Sequence, residues 1–199
     1  MESTYGDRLH SAQRPDYIRE FTKVLKETFD RGGNVVIPSF AVGRTQELLY
    51  FLRKIKVDRL VTGHENFEVY VDSPMATTAT QVFQKNAQVF DEETQRYLMT
   101  GDNPLDFKNL KFTRTSQESQ MLNLDSSPKI IISASGMCEA GRIRHHLKHG
   151  LWNNKNSVVF VGYQANGTLG RSLVDGAKEV NIFGEPILVG AEIYNLEGF

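Results

Sequence analysis

A single cysteine, Cys138, stands in 199 residues, so no internal disulfide framework can form and a reducing compartment suits the chain. Charge of neither sign predominates. The 23 Lys and Arg against 24 Asp and Glu leave a formal net charge of -1, which excludes a globally basic nucleic-acid wrapper but not a local basic patch. No apolar run approaches the roughly 18 residues of a membrane span, and the opening Met-Glu-Ser-Thr-Tyr-Gly-Asp-Arg lacks the apolar stretch of a secretory signal. The expectation is a cytoplasmic, non-secreted protein with no membrane partner. Disorder is excluded as well, because 40% of the residues are hydrophobic and the length suffices to bury a core without staples.

What is present is a repeated strand-loop-helix unit. From Pro15 to Arg31, Ile18, Phe21, Val24, Leu25 and Phe29 trace one stripe of an amphipathic helix that ends at Gly32-Gly33. Asn34 to Pro38 then reads as a buried strand, and Ser39-Phe-Ala-Val-Gly43 turns the chain into a helix from Arg44 to about Lys56. The unit recurs from Phe67 to Asp72, from Lys129 to Ser133 and from Ser157 to Val161. The helices that follow are expected after Ser73-Pro-Met-Ala76, over Glu139 to His149, and over Thr168 to Asp175. Such alternation predicts an α/β fold, a three-layer, mostly parallel Rossmann-like sheet with helices on both faces.

Residues 1–199 read as one domain. The polar interval 91–127 reads as a helical insertion within it, with helices over Asp91 to Met99 and Ser116 to Leu124. Glu179 to Phe183 and Ile187 to Tyr194 read as final strands. Both ends are abrupt, which predicts a piece of a longer protein.

In an open parallel sheet the ligand crevice lies outside the carboxyl ends of the strands. The four loops expected there are rich in Ser, Gly and Ala, small residues that let an oxyanion approach backbone amides at a helix N-terminus. Ser135, Gly136 and the following amides are the candidate cradle. Arg44 and Arg171 sit about one turn into the following helices, where they can add phosphate contacts. Tight turns also require small residues, and either arginine can equally serve as the partner of a surface acid. The densest basic run, Gly141-Arg-Ile-Arg-His-His-Leu-Lys-His149, places Arg142 and Lys148 where a helix face can follow a polyanion, or simply be solvated.

Other candidates are thinner. His145 and His149 stand at i and i+4, but the zinc-protease pattern needs a Glu after the first His, and His146 occupies that place. No third ligand has a legible spacing, so no metal site is assigned to the chain. Cys138 and His145 are about 10 Å apart by helical rise, too far for a nucleophilic pair, so Cys138 reads as a buried small residue. Asp72 is open to three roles, N-cap, arginine partner and general base, with capping favoured.

Five ordered motifs are similar to those of a known family: Glu2-Ser-Thr-Tyr-Gly-Asp-Arg8, Ile37-Pro-Ser-Phe-Ala-Val-Gly-Arg-Thr-Gln-Glu-Leu-Leu-Tyr50, Val71-Asp-Ser-Pro-Met-Ala76, Ile132-Ser-Ala-Ser-Gly-Met-Cys-Glu-Ala-Gly-Arg142 and Phe160-Val-Gly-Tyr-Gln-Ala-Asn-Gly-Thr-Leu-Gly-Arg171. Together they resemble the β-CASP region of metallo-β-lactamase-fold ribonucleases, the group that includes the cleavage and polyadenylation specificity endonuclease. The resemblance implies an RNA-specificity domain. It would cap the cleft of a metallo-β-lactamase domain in the same parent chain, where two zinc ions activate water for phosphodiester cleavage.

Glu2 opens the first signature and maps, by that resemblance, to the active-site periphery. The His-x-His-x-Asp-His zinc motif and the later histidine motifs are absent from this segment. The implied parent is therefore a zinc-dependent RNA hydrolase, endo- or 5′-exonucleolytic, able to form a homodimer, while the isolated segment is expected to hold no cofactor and cut nothing. Two alternatives stay open. One is a nucleotide or small-anion binding Rossmann-like module, although Gly-x-Gly-x-x-Gly is missing and Gly167-Thr-Leu-Gly170 is too short to replace it. The other is a protein-interaction domain of an RNA-processing complex.

Overall fold

The computed structural model of the protein describes residues 16–90, 92, 94–95 and 103–196. Helix α1 (Tyr17–Asp30) starts where the Asp16 carboxylate accepts the Arg19 amide at 3.0 Å, and it buries Phe21, Val24, Leu25 and Phe29. Strand β1 (Val35–Pro38) is buried along its whole length. Helix α2 (Arg44–Val57) buries Leu48, Leu49, Leu52 and Ile55. Strand β2 (Glu68–Val71) leads to α3 (Pro74–Lys85), where Ser73 caps the Ala76 amide and Pro74 occupies the first helical position, where no N–H is needed.

A short edge strand, β3 (Leu110–Phe112), precedes α4 (Ser116–Leu124), whose Thr115 and Glu118 form a reciprocal capping box. Then follow β4 (Lys129–Ser133), α5 (Ile143–Gly150), β5 (Ser157–Phe160) and α6 (Leu169–Val174). The hairpin β6 (Glu179–Ile182) and β7 (Glu185–Leu188) precedes β8 (Glu192–Asn195).

Six strands form one wholly parallel sheet in the order β3-β2-β4-β1-β5-β8, and β6 pairs with β7 in a separate antiparallel ribbon. The pleat divides the core. Val35 and Ile37 join Phe21, Leu25, Leu48 and Leu52 on one face, whereas Val36 and Val158 join Ile143, Leu147 and Leu173 on the other. This is the three-layer α/β architecture expected from the alternation of strands and helices.

Three local expectations change. The interval 91–127 contributes β3, which pairs with β2, and so is not helical alone; three residues are too few to show a period. Of the helix expected over Asp91 to Met99, Glu92, Thr94 and Gln95 are described, and they are helical. The helix expected from Glu139 begins instead at Ile143. Cys138 and Gly141 have φ of 64° and 79°, and the Ser135 amide donates to the Ala140 carbonyl at 3.1 Å, so 135–142 folds back as a loop. The strand expected over Ile187 to Tyr194 divides at Gly190, whose amide donates to the Leu151 carbonyl at 2.9 Å and where a Cβ would lie 2.3 Å from the Trp152 carbonyl oxygen.

Candidate functional site

Because all six strands point one way, their carboxyl ends share an edge, and the loops after β2, β4, β1 and β5 lie side by side along it. Backbone bonds lock neighbours together: the Ser39 amide donates to the Ser133 carbonyl at 3.0 Å and the Asp72 amide to the Ile132 carbonyl at 2.8 Å. The buried Gln164 amide extends the tie. Its Nε2 donates to the Gly136 carbonyl at 3.1 Å and to the Gly162 carbonyl at 3.0 Å, joining the β4 and β5 loops. Gly170 permits this packing, since a Cβ there would lie 1.9 Å from the Gln164 side-chain oxygen.

In the candidate cradle the Ser135 amide is spent within the loop, on the Ala140 carbonyl, and Ser135 Oγ accepts the Ala140 amide at 3.3 Å. The amides of Gly136 and Met137 donate to no acceptor among the described residues. The Ala134–Ser135 peptide is cis.

The centre of the edge is a buried charge cluster. Asp72 is fully buried and caps no helix, because Ser73 does that; this corrects the capping role favoured from the sequence in favour of the arginine partner. Its Oδ1 accepts Arg142 Nη1 at 2.7 Å and the Thr113 hydroxyl, while Oδ2 accepts the Ser119 hydroxyl at 2.6 Å and faces His146 Nε2 at 2.5 Å. The other ring nitrogen of His146 meets Asn123 Oδ1 at 2.7 Å. Burial alone would raise the Asp72 carboxyl, but hydrogen bonds from His146, Ser119 and Thr113 outweigh it and hold the group well below the ordinary carboxylate range. Arg142 also donates through Nη2 to the Arg114 carbonyl at 3.2 Å, so its guanidinium fastens β2, the β3–α4 loop and the start of α5 to one another.

The remaining candidates are dispersed. Arg44 donates to Glu47 at 2.6 Å and Arg171 to both oxygens of Asp175 at 2.8 and 2.9 Å, each at the crevice edge. Lys148 lies toward the far end of α5 and donates to Glu185 of β7 at 2.7 Å, away from the loop that carries Ser135 and Gly136. Glu2 lies outside the described residues. Cys138 is buried and its thiol is pushed up by burial, which keeps it protonated and inert. His145 stacks on Phe183 at 4.7 Å between ring centroids, and burial lowers its pKa. Among the described residues no group of three or more His, Cys, Asp or Glu is placed to hold a metal ion, so they offer no set of zinc ligands.

His146 is the site residue that sequence reasoning missed. Its spacing from Ile143 and Leu147 places it on the buried stripe of α5, a signal that it belongs to the interior rather than to a basic face. Thr113, Ser119 and Asn123 carried no comparable mark.

The family model for the Beta-Casp domain matches residues 45–173, which include Asp72, Ser135, Gly136, Arg142 and Arg171. The chain belongs to the Beta-Casp family. Among its relatives, a ribonuclease of Thermus thermophilus, TTHA0252, is 39% identical over 200 residues, covering 100% of this chain and 44% of that protein. The transcription termination factor FttA of Methanocaldococcus jannaschii is 36% identical over 208 residues, covering 100% of this chain and 32% of the factor. An RNase J-like protein of the same organism is 32% identical over 199 residues, covering 99% of this chain and 44% of that protein. This Beta-Casp chain thus spans less than half the length of these relatives. No described helix is long and apolar enough to cross a membrane.

Proposed function

We propose that this Beta-Casp domain is the RNA-holding part of a zinc-dependent ribonuclease of the metallo-β-lactamase fold, working in an intracellular setting. The observation that carries the reading is the similarity, along the whole of this chain, to proteins named as ribonucleases, with the Beta-Casp match spanning the crevice loops after β2, β4 and β5. The domain closes over a catalytic cleft built by a metallo-β-lactamase domain of the same protein. The described residues offer no group of three ligands for zinc, so two zinc ions would be held by the partner domain and would supply an activated water when bound.

The chain's own part is binding and orientation. Amides of Gly136 and Met137 take a phosphate oxygen beside Ser135, while Arg44 and Arg171 exchange their local acids for neighbouring phosphates. Arg142 acts from behind, holding the β4 loop through Asp72, and Lys148 extends the positive surface along α5. The test uses the full-length protein with labelled single-stranded RNA. Cleavage that is abolished by a chelator and restored by zinc, with weaker RNA binding in an Arg44→Gln/Arg171→Gln variant, is expected. A full-length protein that leaves RNA intact in zinc, and binds it no better than the double variant does, would overturn the reading.

A further inference from the structure

Beside the Ser135–Gly136 loop the protein displays an aromatic ring that its own core does not require. After β1 the chain alternates in and out: Ser39 and Ala41 are buried, whereas Phe40 is 50% and Val42 60% exposed. Phe40 is nevertheless fixed. Its carbonyl accepts the Thr45 hydroxyl at 2.7 Å and the Thr45 amide at 3.3 Å, and Thr45 is itself buried. The ring lies against Gly136, where a Cβ would stand 3.2 Å from Cδ2 and 3.3 Å from Cε2, so any larger residue at 136 would press on it. Gln164 Nε2 also holds Gly136, by donating to the glycine carbonyl. A half-exposed ring on a pinned backbone therefore touches the loop whose Gly136 and Met137 amides lack acceptors among the described residues.

The flanking loops extend the pattern. Spatial order along the edge places exposed Met75 after β2, then Ser135 and Gly136 after β4, then Phe40 and Val42 after β1, then half-exposed Tyr163 after β5. Apolar tips thus flank one polar backbone loop on both sides. Proteins that hold single strands combine flat apolar side chains for the bases with donors for the phosphates. A protein partner docking here would cover the ring and would have to bring acceptors of its own for the two amides.

We infer that Phe40 is a stacking platform for one nucleobase of a single-stranded RNA whose adjoining phosphate lies at the Gly136–Met137 amides. The assignment rests on the RNA-holding function proposed above. The ring has one edge closed by Gly136, and it accepts any base because every base has an apolar face. The preformed position limits the ordering cost of binding.

The test compares full-length wild type, Phe40→Ala and Phe40→Trp with a short oligoadenylate and with an abasic oligomer of equal length. Phe40→Ala is expected to weaken oligoadenylate binding about tenfold or more, as loss of an aromatic stacking partner does. It should leave affinity for the abasic oligomer and the salt slope unchanged. Phe40→Trp should retain affinity, and its added emission, over that of wild type, should be quenched by oligoadenylate. Equal affinity of Phe40→Ala and wild type for oligoadenylate overturns the stacking role while leaving the RNA-holding function intact. Loss of thermal stability in Phe40→Ala at unchanged RNA affinity, with emission from Phe40→Trp unmoved by RNA, assigns the ring to a protein interface and equally overturns it. Wild type that binds neither oligomer removes both proposals.

Discussion

Arg142 and Arg44 sit on the same sheet edge, yet they belong to different kinds of region. Arg142 enters a buried cluster in which Asp72 is fully sequestered and polar side chains from separate segments converge. Arg44 is held by one acid three residues away on its own helix, and Arg171 by one four residues away. A surface pair of that sort is worth roughly 0–1 kcal/mol, so a phosphate can displace the acid at little cost. The buried Asp72 carboxylate cannot release its partners cheaply, because its own charge would be left unpaired in a low-dielectric interior. One region fixes the loops; the other is available to a ligand.

The comparison breaks first at Asp72. Replacing it by Ala strands Arg142 and His146, and urea unfolding should show a loss of roughly 3–5 kcal/mol; a loss under about 1 kcal/mol would make the cluster a surface feature in energetic terms. Acid should erode the same contribution. The folded Asp72 carboxyl titrates below its unfolded value of about 3.9, so the unfolded chain binds more protons in that interval. Stability from this group is complete above the unfolded value and falls as pH drops toward the folded one. Asp125, lowered to about 2 chiefly by the Ser127 amide, titrates in the same interval, so the difference between wild type and Asp72→Asn in acid isolates the cluster.

Smaller effects sharpen the other side. Arg44→Gln or Arg171→Gln should change unfolding stability by no more than about 0.5 kcal/mol while lowering RNA affinity, since both are surface pairs. Glu47→Gln, which frees Arg44 from its acid, should tighten RNA binding by a few-fold at low salt, read by titration of labelled RNA. Tightening that disappears in the Glu47→Gln/Arg44→Gln double variant assigns the gain to Arg44.

How much was legible in advance follows the same division. Strands β1, β2, β4 and β5 are within a residue or two of their sequence-based limits, because β-branched runs bounded by breakers leave few alternatives. The two-way packing of Val35 and Val36 follows from the same pattern. The start of α5 was not legible, since Gly141 and Cys138 adopt positive φ to return the chain on Ser135, and nothing in Cys138 announces that conformation. Nor was the Asp72 cluster. His146 stands 74 residues from Asp72 and Thr113 stands 41, and only the strand order β3-β2-β4 brings their elements together. The crevice loops were identified by composition, whereas the partners of Arg44, Arg171 and Lys148 emerged from side-chain geometry.

The most direct measurement is the salt dependence of single-stranded RNA binding by the full-length protein and its Arg44→Gln/Arg171→Gln variant. If both arginines neutralise phosphates, the slope of log affinity against log salt should become shallower by about 1.4 in the variant, near 0.7 for each phosphate no longer neutralised. Parallel slopes with equal intercepts would contradict a crevice edge that grips RNA.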